Sequence, residues 1–205
     1  LGRATHERRE VVLQEVQVGS VPTLTYYALL GISELIAGFA LIIDSDATLI
    51  GANIVAPLMT PILGTALAVV LADRRHVVRS VSLVVGGALV VIAIGLVIGL
   101  VDAPLDDFAS NTQVAGRISP RLIDLLAALA TGTVGAFALV RSDISDTLPG
   151  VAIAISLVPP LAVVGLLLSV QRYGDASGAL LLFGTNVAAI IATGSAVLIG
   201  YRVRD

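Results

Sequence analysis

The sequence contains no cysteine and no lysine, and its only histidines are His6 and His76. Without cysteine, disulfides and thiolate-bound metals are excluded. Both histidines fall in polar segments, which excludes a histidine-rich metal centre in the core, so no metal and no cofactor is expected. Charge is scarce: 13% of the 205 residues are charged and the net charge is −3. That is too little to coat a soluble globule of this size, and no basic tract is long enough to indicate nucleic acid. The motifs HExxH, GxSxG and GxxxxGK[ST] are absent, and neither histidine lies where a Ser-His-Asp set could assemble. An enzyme is therefore not expected.

What the chain does have is apolar length. Hydrophobic residues make up 57% of it, and the charges cluster in short patches between apolar runs. Runs of roughly 20 residues match a bilayer core about 30 Å thick. They are too long and too uniformly apolar for barrel strands, so helices are expected. The predicted spans are 23–43, 47–72, 80–101, 122–140, 147–170 and a sixth ending near Tyr201. Between them lie a short acidic turn at 44–46, a basic loop at 73–79, a long loop at 102–121, a polar turn at 141–146 and a loop at 171–177. Residues 1–22 are polar, with Val11, Val12, Leu13, Val16 and Val18 interspersed. They lack the apolar centre of a signal peptide and read either as an interfacial amphipathic helix or as the stub of a trimmed cytoplasmic region. The fold class is thus an all-α polytopic bundle of about six transmembrane helices. It divides into an N-terminal segment (1–22), a first three-helix unit (23–101), an extracytoplasmic loop (102–121) and a second three-helix unit (122–205).

Arginine placement sets the orientation. Arg3, Arg8, Arg9, Arg74, Arg75, Arg79, Arg141, Arg202 and Arg204 fall on one side, and Arg117, Arg121 and Arg172 on the other. The arginine-rich side is expected to be cytoplasmic, with both termini there, in a multi-pass protein of the inner (cell) membrane. Tyr26, Tyr27, Tyr173 and Tyr201 all fall near span ends, as interfacial rings do.

The halves resemble each other at an offset of 99. Thr48-Leu49-Ile50-Gly51 parallels Thr147-Leu148-Pro149-Gly150, Pro61 falls on Pro160, and Pro57 falls on Ser156. Upstream, Phe39-Ala40-Leu41 parallels Phe137-Ala138-Leu139 at 98. An odd number of spans per half makes this an inverted repeat, an architecture that places sites where helices break near the midplane. Proline removes a helical hydrogen bond to the carbonyl four residues back. Pro57 would free the carbonyl of Asn53, Pro61 that of Pro57, Pro159 that of Ile155 and Pro160 that of Ser156. Thr60, Ser156 and Asn53 are close enough in sequence to serve those carbonyls. The alternative is that the kinks merely shape the bundle.

Glu34 is the one acidic residue deep in a predicted span, on a helix face shared with Gly31 and Gly38. A charge there costs roughly 2.5–3.5 kcal/mol on insertion scales, so Glu34 should face protein or water, either coupling a proton or cation or tying helices together. Asp44, Asp46, Asp143 and Asp146 stand in corresponding turns and are expected to cap helices. Asn53, Asn186, Thr185 and Thr193 are candidates for buried interhelical bonds, and Asp124 for the membrane interface. Gly95 and Gly99 form a GxxxG that favours close helix contact, within the chain or between subunits.

The stretch SDATLIGANIVAPLMTPILG (45–64) resembles the hallmark segment of an uncharacterised bacterial and archaeal membrane family, domain of unknown function 389. The matching residues are Ser45, Asp46, Leu49, Ile50, Gly51, Ala52, Ile54, Val55, Ala56, Pro57, Leu58, Met59, Pro61 and Ile62. Asn53 stands where members often carry methionine. SLVPPLAVVG (156–165) resembles the family's second proline segment, and the similarity runs from Leu24 to Tyr201. The resemblance implies a polytopic membrane protein with no known activity.

The function expected is a small transporter or channel for an ion or small solute, with Glu34, Asn53, Pro57, Thr60, Pro61, Ser156, Pro159, Pro160 and Asn186 as site candidates. The alternatives are a non-transporting scaffold or sensor, or a lipid-binding protein. Membrane lipid is the expected surrounding. A bundle of this size is thin for a complete alternating-access machine, so a cyclic homo-oligomer is expected as well.

Overall fold

The computed structural model describes residues 22–102, 111–140 and 157–201. Every regular element among these residues is a helix: α1 (Leu24–Ile42), α2 (Asp46–Val55), α3 (Met59–Val70), α4 (Arg74–Asp102), α5 (Thr112–Ala115), α6 (Leu122–Val140), α7 (Val158–Ser169) and α8 (Tyr173–Gly200). Four of them, α1, α4, α6 and α8, are long and apolar enough to cross a membrane, and α2 with α3 forms a fifth candidate span bent by 52°. The fifth predicted span, 147–170, is represented by α7, because residues 141–156 lie outside those described.

Helix ends follow local chemistry. Thr23 caps α1 by accepting from the Tyr26 N–H, and Ser45 caps α2 by accepting from that of Thr48. Asp46 is the first residue of α2, where a negative charge suits the positive helix end. Asp44 corrects the capping expectation for its own helix. It turns away and accepts instead from the Thr112 hydroxyl (2.9 Å) and the Gln113 N–H (3.1 Å), tying the α1–α2 turn to α5. Asp143 and Asp146 lie outside the described residues. The predicted basic loop at 73–79 is helical from Arg74 onward: Asp73 accepts from the N–H groups of Arg75 and His76 and starts α4 there. Likewise the loop predicted at 171–177 gives way to α8 at Tyr173.

The prolines divide into two kinds. Pro57 sits in the break between α2 and α3, and Ala56 before it is extended (φ −71°, ψ 121°), as the residue before proline must be. Pro61 lies in the first turn of α3, and Pro159 and Pro160 in the first turn of α7. There the missing N–H has no intrahelical partner to lose. Of the expected chain breaks, only that at Pro57 interrupts a span among the described residues. The carbonyl of Ile155 and residue Ser156 lie outside them.

The helices pack as a bundle. α4 lies along α7 and α1, α8 along α6 and α3, with α3 against α4 and α7 against α8. The core is leucine, isoleucine, valine and alanine, including Leu30, Leu58, Ile62, Leu161, Leu166 and Ile190. The exterior is apolar too: Leu122, Leu100, Leu89, Ile199 and Leu181 all stand out from the bundle. Monomeric soluble proteins rarely expose apolar patches on this scale, so the surface is compatible with a multi-pass membrane protein.

Segments of equal or nearly equal length recur at an offset of 98 or 99 residues. α1 and α6 have 19 residues each and begin at 24 and 122. α3 and α7 have 12 each and begin at 59 and 158, and α4 and α8 begin at 74 and 173. Left-handed residues recur likewise, Ala72 at φ 56° and Gln171 at φ 59°.

Candidate functional site

Glu34 lies near the middle of α1 and is 0% exposed. Neither carboxylate oxygen has a hydrogen-bond partner among the described residues. Its surroundings come from small residues. A methyl group placed on Gly95 of α4 would stand 2.9 Å from Glu34 Oε1 and 3.0 Å from the Ala162 carbonyl oxygen of α7. The GxxxG therefore serves contact within the chain: Gly95 and Gly99 lie against α7, while Gly38 faces Ile98 of α4 and Gly31 faces Ile94.

The break in the second span lies beside α1. The Ser33 hydroxyl donates to the Ala52 carbonyl (2.7 Å), which also accepts from the Ala56 N–H at the break. Asn53, one residue on, is buried with its Oδ1 unpartnered. Thr60 is exposed, so it does not serve the interior, and Pro61 is buried with its carbonyl accepting from the Thr65 hydroxyl. Thr185 and Thr193 donate back to carbonyls of their own helix, so neither bridges helices as expected.

A second polar group lies at one end of the bundle. A cavity of about 290 Å³ opens between the start of α2, the segment around α5, and helices α6 and α8. Asp46, Gln113, Arg117, Arg121, Asp124 and Asn186 line it, with Ala127, Ala128 and Leu182 as its apolar wall. Sequence reasoning picked out Asn186 as a site candidate, picked out Asp46 and Asp124 for other reasons, and missed Gln113 and Arg117 as site residues. These two sit in the long loop, and only the fold brings that loop back over α2 and α6.

The charges in the cavity are unevenly engaged. Arg121 grips Asp124 through Nε (3.2 Å) and Nη2 (3.3 Å), and this pairing raises the arginine pKa. Arg117 donates from Nη1 to the backbone oxygen (2.6 Å) and side-chain oxygen (2.9 Å) of Gln113. Its Nε is buried without a partner among the described residues. Burial lowers the Arg117 pKa, and nearby Asp46 opposes that effect without forming an ion pair. Asn186, 5% exposed, has its Oδ1 unpartnered among the described residues. It lies 13 residues along α8 from Tyr173, about 20 Å at helical rise, so the cavity floor reaches the bundle's interior.

The equivalent positions 98 or 99 residues earlier are filled. Tyr26 stands for Asp124, Leu30 for Ala128, Leu83 for Leu182 and Gly87 for Asn186. The Tyr26 hydroxyl donates to the Leu83 carbonyl (3.1 Å). A methyl group on Gly87 would stand 2.7 Å from that hydroxyl and 2.9 Å from Leu30. Tyr26 is therefore a packed interior residue, not the interfacial ring its sequence position implied. Tyr201 is also buried, edge-on to Phe137, whereas Tyr173 is exposed as expected.

A family model described as Domain of unknown function (DUF389) matches residues 54–192. An uncharacterized protein of Methanocaldococcus jannaschii is 32% identical over 161 residues, which cover 78% of this chain and 49% of that protein. The chain thus spans about half the length of this relative. No solved structure matches. The family model runs from the break in the second span to well inside α8, taking in the Pro57 segment, most of the cavity lining and the prolines of α7, and the chain belongs to the DUF389 family.

Proposed function

We propose that the chain is a membrane-embedded carrier for a small polar solute or ion, built as two inverted three-helix halves. The observation that carries it is Glu34, a carboxyl group buried in the bundle with no hydrogen-bond partner among the described residues and with Gly95 beside its Oε1. An unpaired ionised group in such a place costs several kcal/mol, so Glu34 takes up a proton or a cation. That is the coupling a carrier needs. The repeat has support beyond sequence. Exchanging α1 with α6, α3 with α7 and α4 with α8 converts the α4–α7 packing into α8–α3, α1–α4 into α6–α8, and α3–α4 into α7–α8, all of which occur. Gly95 against Gly165 has its counterpart in Gly194 against Ala66. Under the arginine rule the cavity faces away from the cytoplasm, since Arg117, Arg121 and Arg172 share its end of the bundle. A cyclic homo-oligomer in the cell membrane, with both termini cytoplasmic, completes the proposal.

The test is solute-driven proton or cation flux in proteoliposomes. Glu34→Gln keeps shape and removes the ionisable group. Flux is expected to fall at least tenfold or to lose its pH dependence; unchanged flux and pH profile would remove Glu34 from the mechanism. A scaffold or sensor is the second proposal, favoured by the relative's greater length, since the other half of that protein offers room for a partner-binding part.

A further inference from the structure

The cavity holds one uncommitted cation and one uncommitted anion. Gln113 engages one terminal nitrogen of Arg117, and Nε has no partner among the described residues. A guanidinium presents parallel N–H groups, the geometry that grips a carboxylate with two bonds. Asp46 is neither bonded nor ion-paired through its side chain among the described residues, and Asn186 offers a buried acceptor with nothing to accept. Buried polar atoms are almost always satisfied, and two residues of this one cavity, Arg117 and Asn186, each keep a buried polar atom without a partner among the described residues; with Asp46 beside them, a molecule carrying both charges meets these residues best. The other charged pair, Arg121 with Asp124, neutralises itself. The volume, about 290 Å³, is at the lower end for small-molecule pockets, roughly 300–1,000 Å³. The wall of Ala127, Ala128 and Leu182 suits a short aliphatic group.

We propose that this cavity binds a small zwitterion of the amino-acid class, with its carboxylate on the guanidinium of Arg117 and its ammonium toward Asn186 and Asp46. A plain anion would leave Asn186 and Asp46 without partners, and a plain cation would leave Arg117 so. As the solute of the carrier proposed above, this ligand deepens that proposal, yet the site stands or falls on binding alone.

The experiment is isothermal titration of the full chain in lipid nanodiscs with L-alanine, propionate and L-alanine methyl ester. L-alanine is expected to bind, and the two single-charge analogues to bind at least tenfold more weakly. Arg117→Gln and Asn186→Leu should each weaken L-alanine at least tenfold. Arg117→Lys, which keeps the charge and loses the fork, should also weaken it, while Arg75→Gln at the far end should not. Propionate binding as tightly as L-alanine, L-alanine failing to bind the folded protein, or Arg117→Gln and Arg117→Lys both binding normally would overturn the site. Binding is read without flux, so the two proposals separate. L-alanine binding with no Glu34-dependent transport overturns the carrier alone. Glu34-dependent transport of solutes the cavity does not bind overturns this site alone.

Discussion

Asp44, Ala72 and Gln171 close helices with left-handed backbone, at φ 53°, 56° and 59°. Each does so with the same pair of bonds: at Ala72 its own N–H donates to Val69 and the next N–H to Ala68, and at Gln171 the acceptors are Leu168 and Leu167. Glycine is the usual residue there, and an L-residue in that conformation costs roughly 1–2 kcal/mol. Ala72→Gly should therefore raise stability by about 0.5–1 kcal/mol, read from the unfolding midpoint in detergent; a lowered midpoint would mean the turn is not strained. Next to it, Asp73 accepts from the side chain and backbone of His76 and from the backbone of Arg75, which holds its carboxyl below the ordinary aspartate range. A depressed folded-state pKa stabilises above the unfolded value, about 3.9, and that stability is lost as pH falls through the folded value. Hydrogen exchange at the Arg75 and His76 amides should quicken only below about pH 4, and Asp73→Asn should remove most of that dependence. The loop predicted at 73–79 could not have shown this, because three arginines and a histidine read as polar composition, whereas the cap rests on one carboxylate reaching two amides.

Where α7 crosses α4, the two backbones touch. A methyl group on Gly165 would stand 2.5 Å from the Ile92 oxygen, 2.7 Å from the Leu96 nitrogen and 2.8 Å from the Gly95 carbonyl carbon. These are backbone atoms that cannot rotate aside. Gly165→Ala is expected to destabilise by about 1–3 kcal/mol through overpacking, while Gly51→Ala, which meets nothing within 4 Å, should be neutral or mildly stabilising. Equal losses at both positions in denaturant titration would contradict the contact. The GxxxG motif signalled a close approach but not its partner, because small residues mark a seam without saying which helix fills it. Spans α1 and α6 were legible to within a residue or so, since long apolar runs bounded by Thr23, Asp44 and Arg121 leave little choice. At Pro61 a predicted helix interior is a helix start: proline interrupts only a helix that is already running, and the sequence around Pro61 does not reveal that a new helix begins at Met59.

For the molecule as a whole, the proposed orientation can be read directly, because the chain is free of cysteine. Ser119→Cys, at the cavity end, should react with a membrane-impermeant maleimide on intact cells, and Arg74→Cys, at the opposite end, only after permeabilisation. The reverse pattern would invert the topology. Glu34 and Asn186 were picked out in the sequence, since ionisable and amide groups in apolar runs stand out. The cavity was not, since it depends on residues 113–117 folding over helices far away in the chain. Its filled counterpart has a bearing on what the protein can do in this conformation. Among the described residues, Asn186 and Ala128 leave space at one end, while Tyr26, Leu30 and Gly87 pack closely at the matching positions of the other half. For the carrier proposed above, passage beyond the cavity would require Tyr26 to release Leu83.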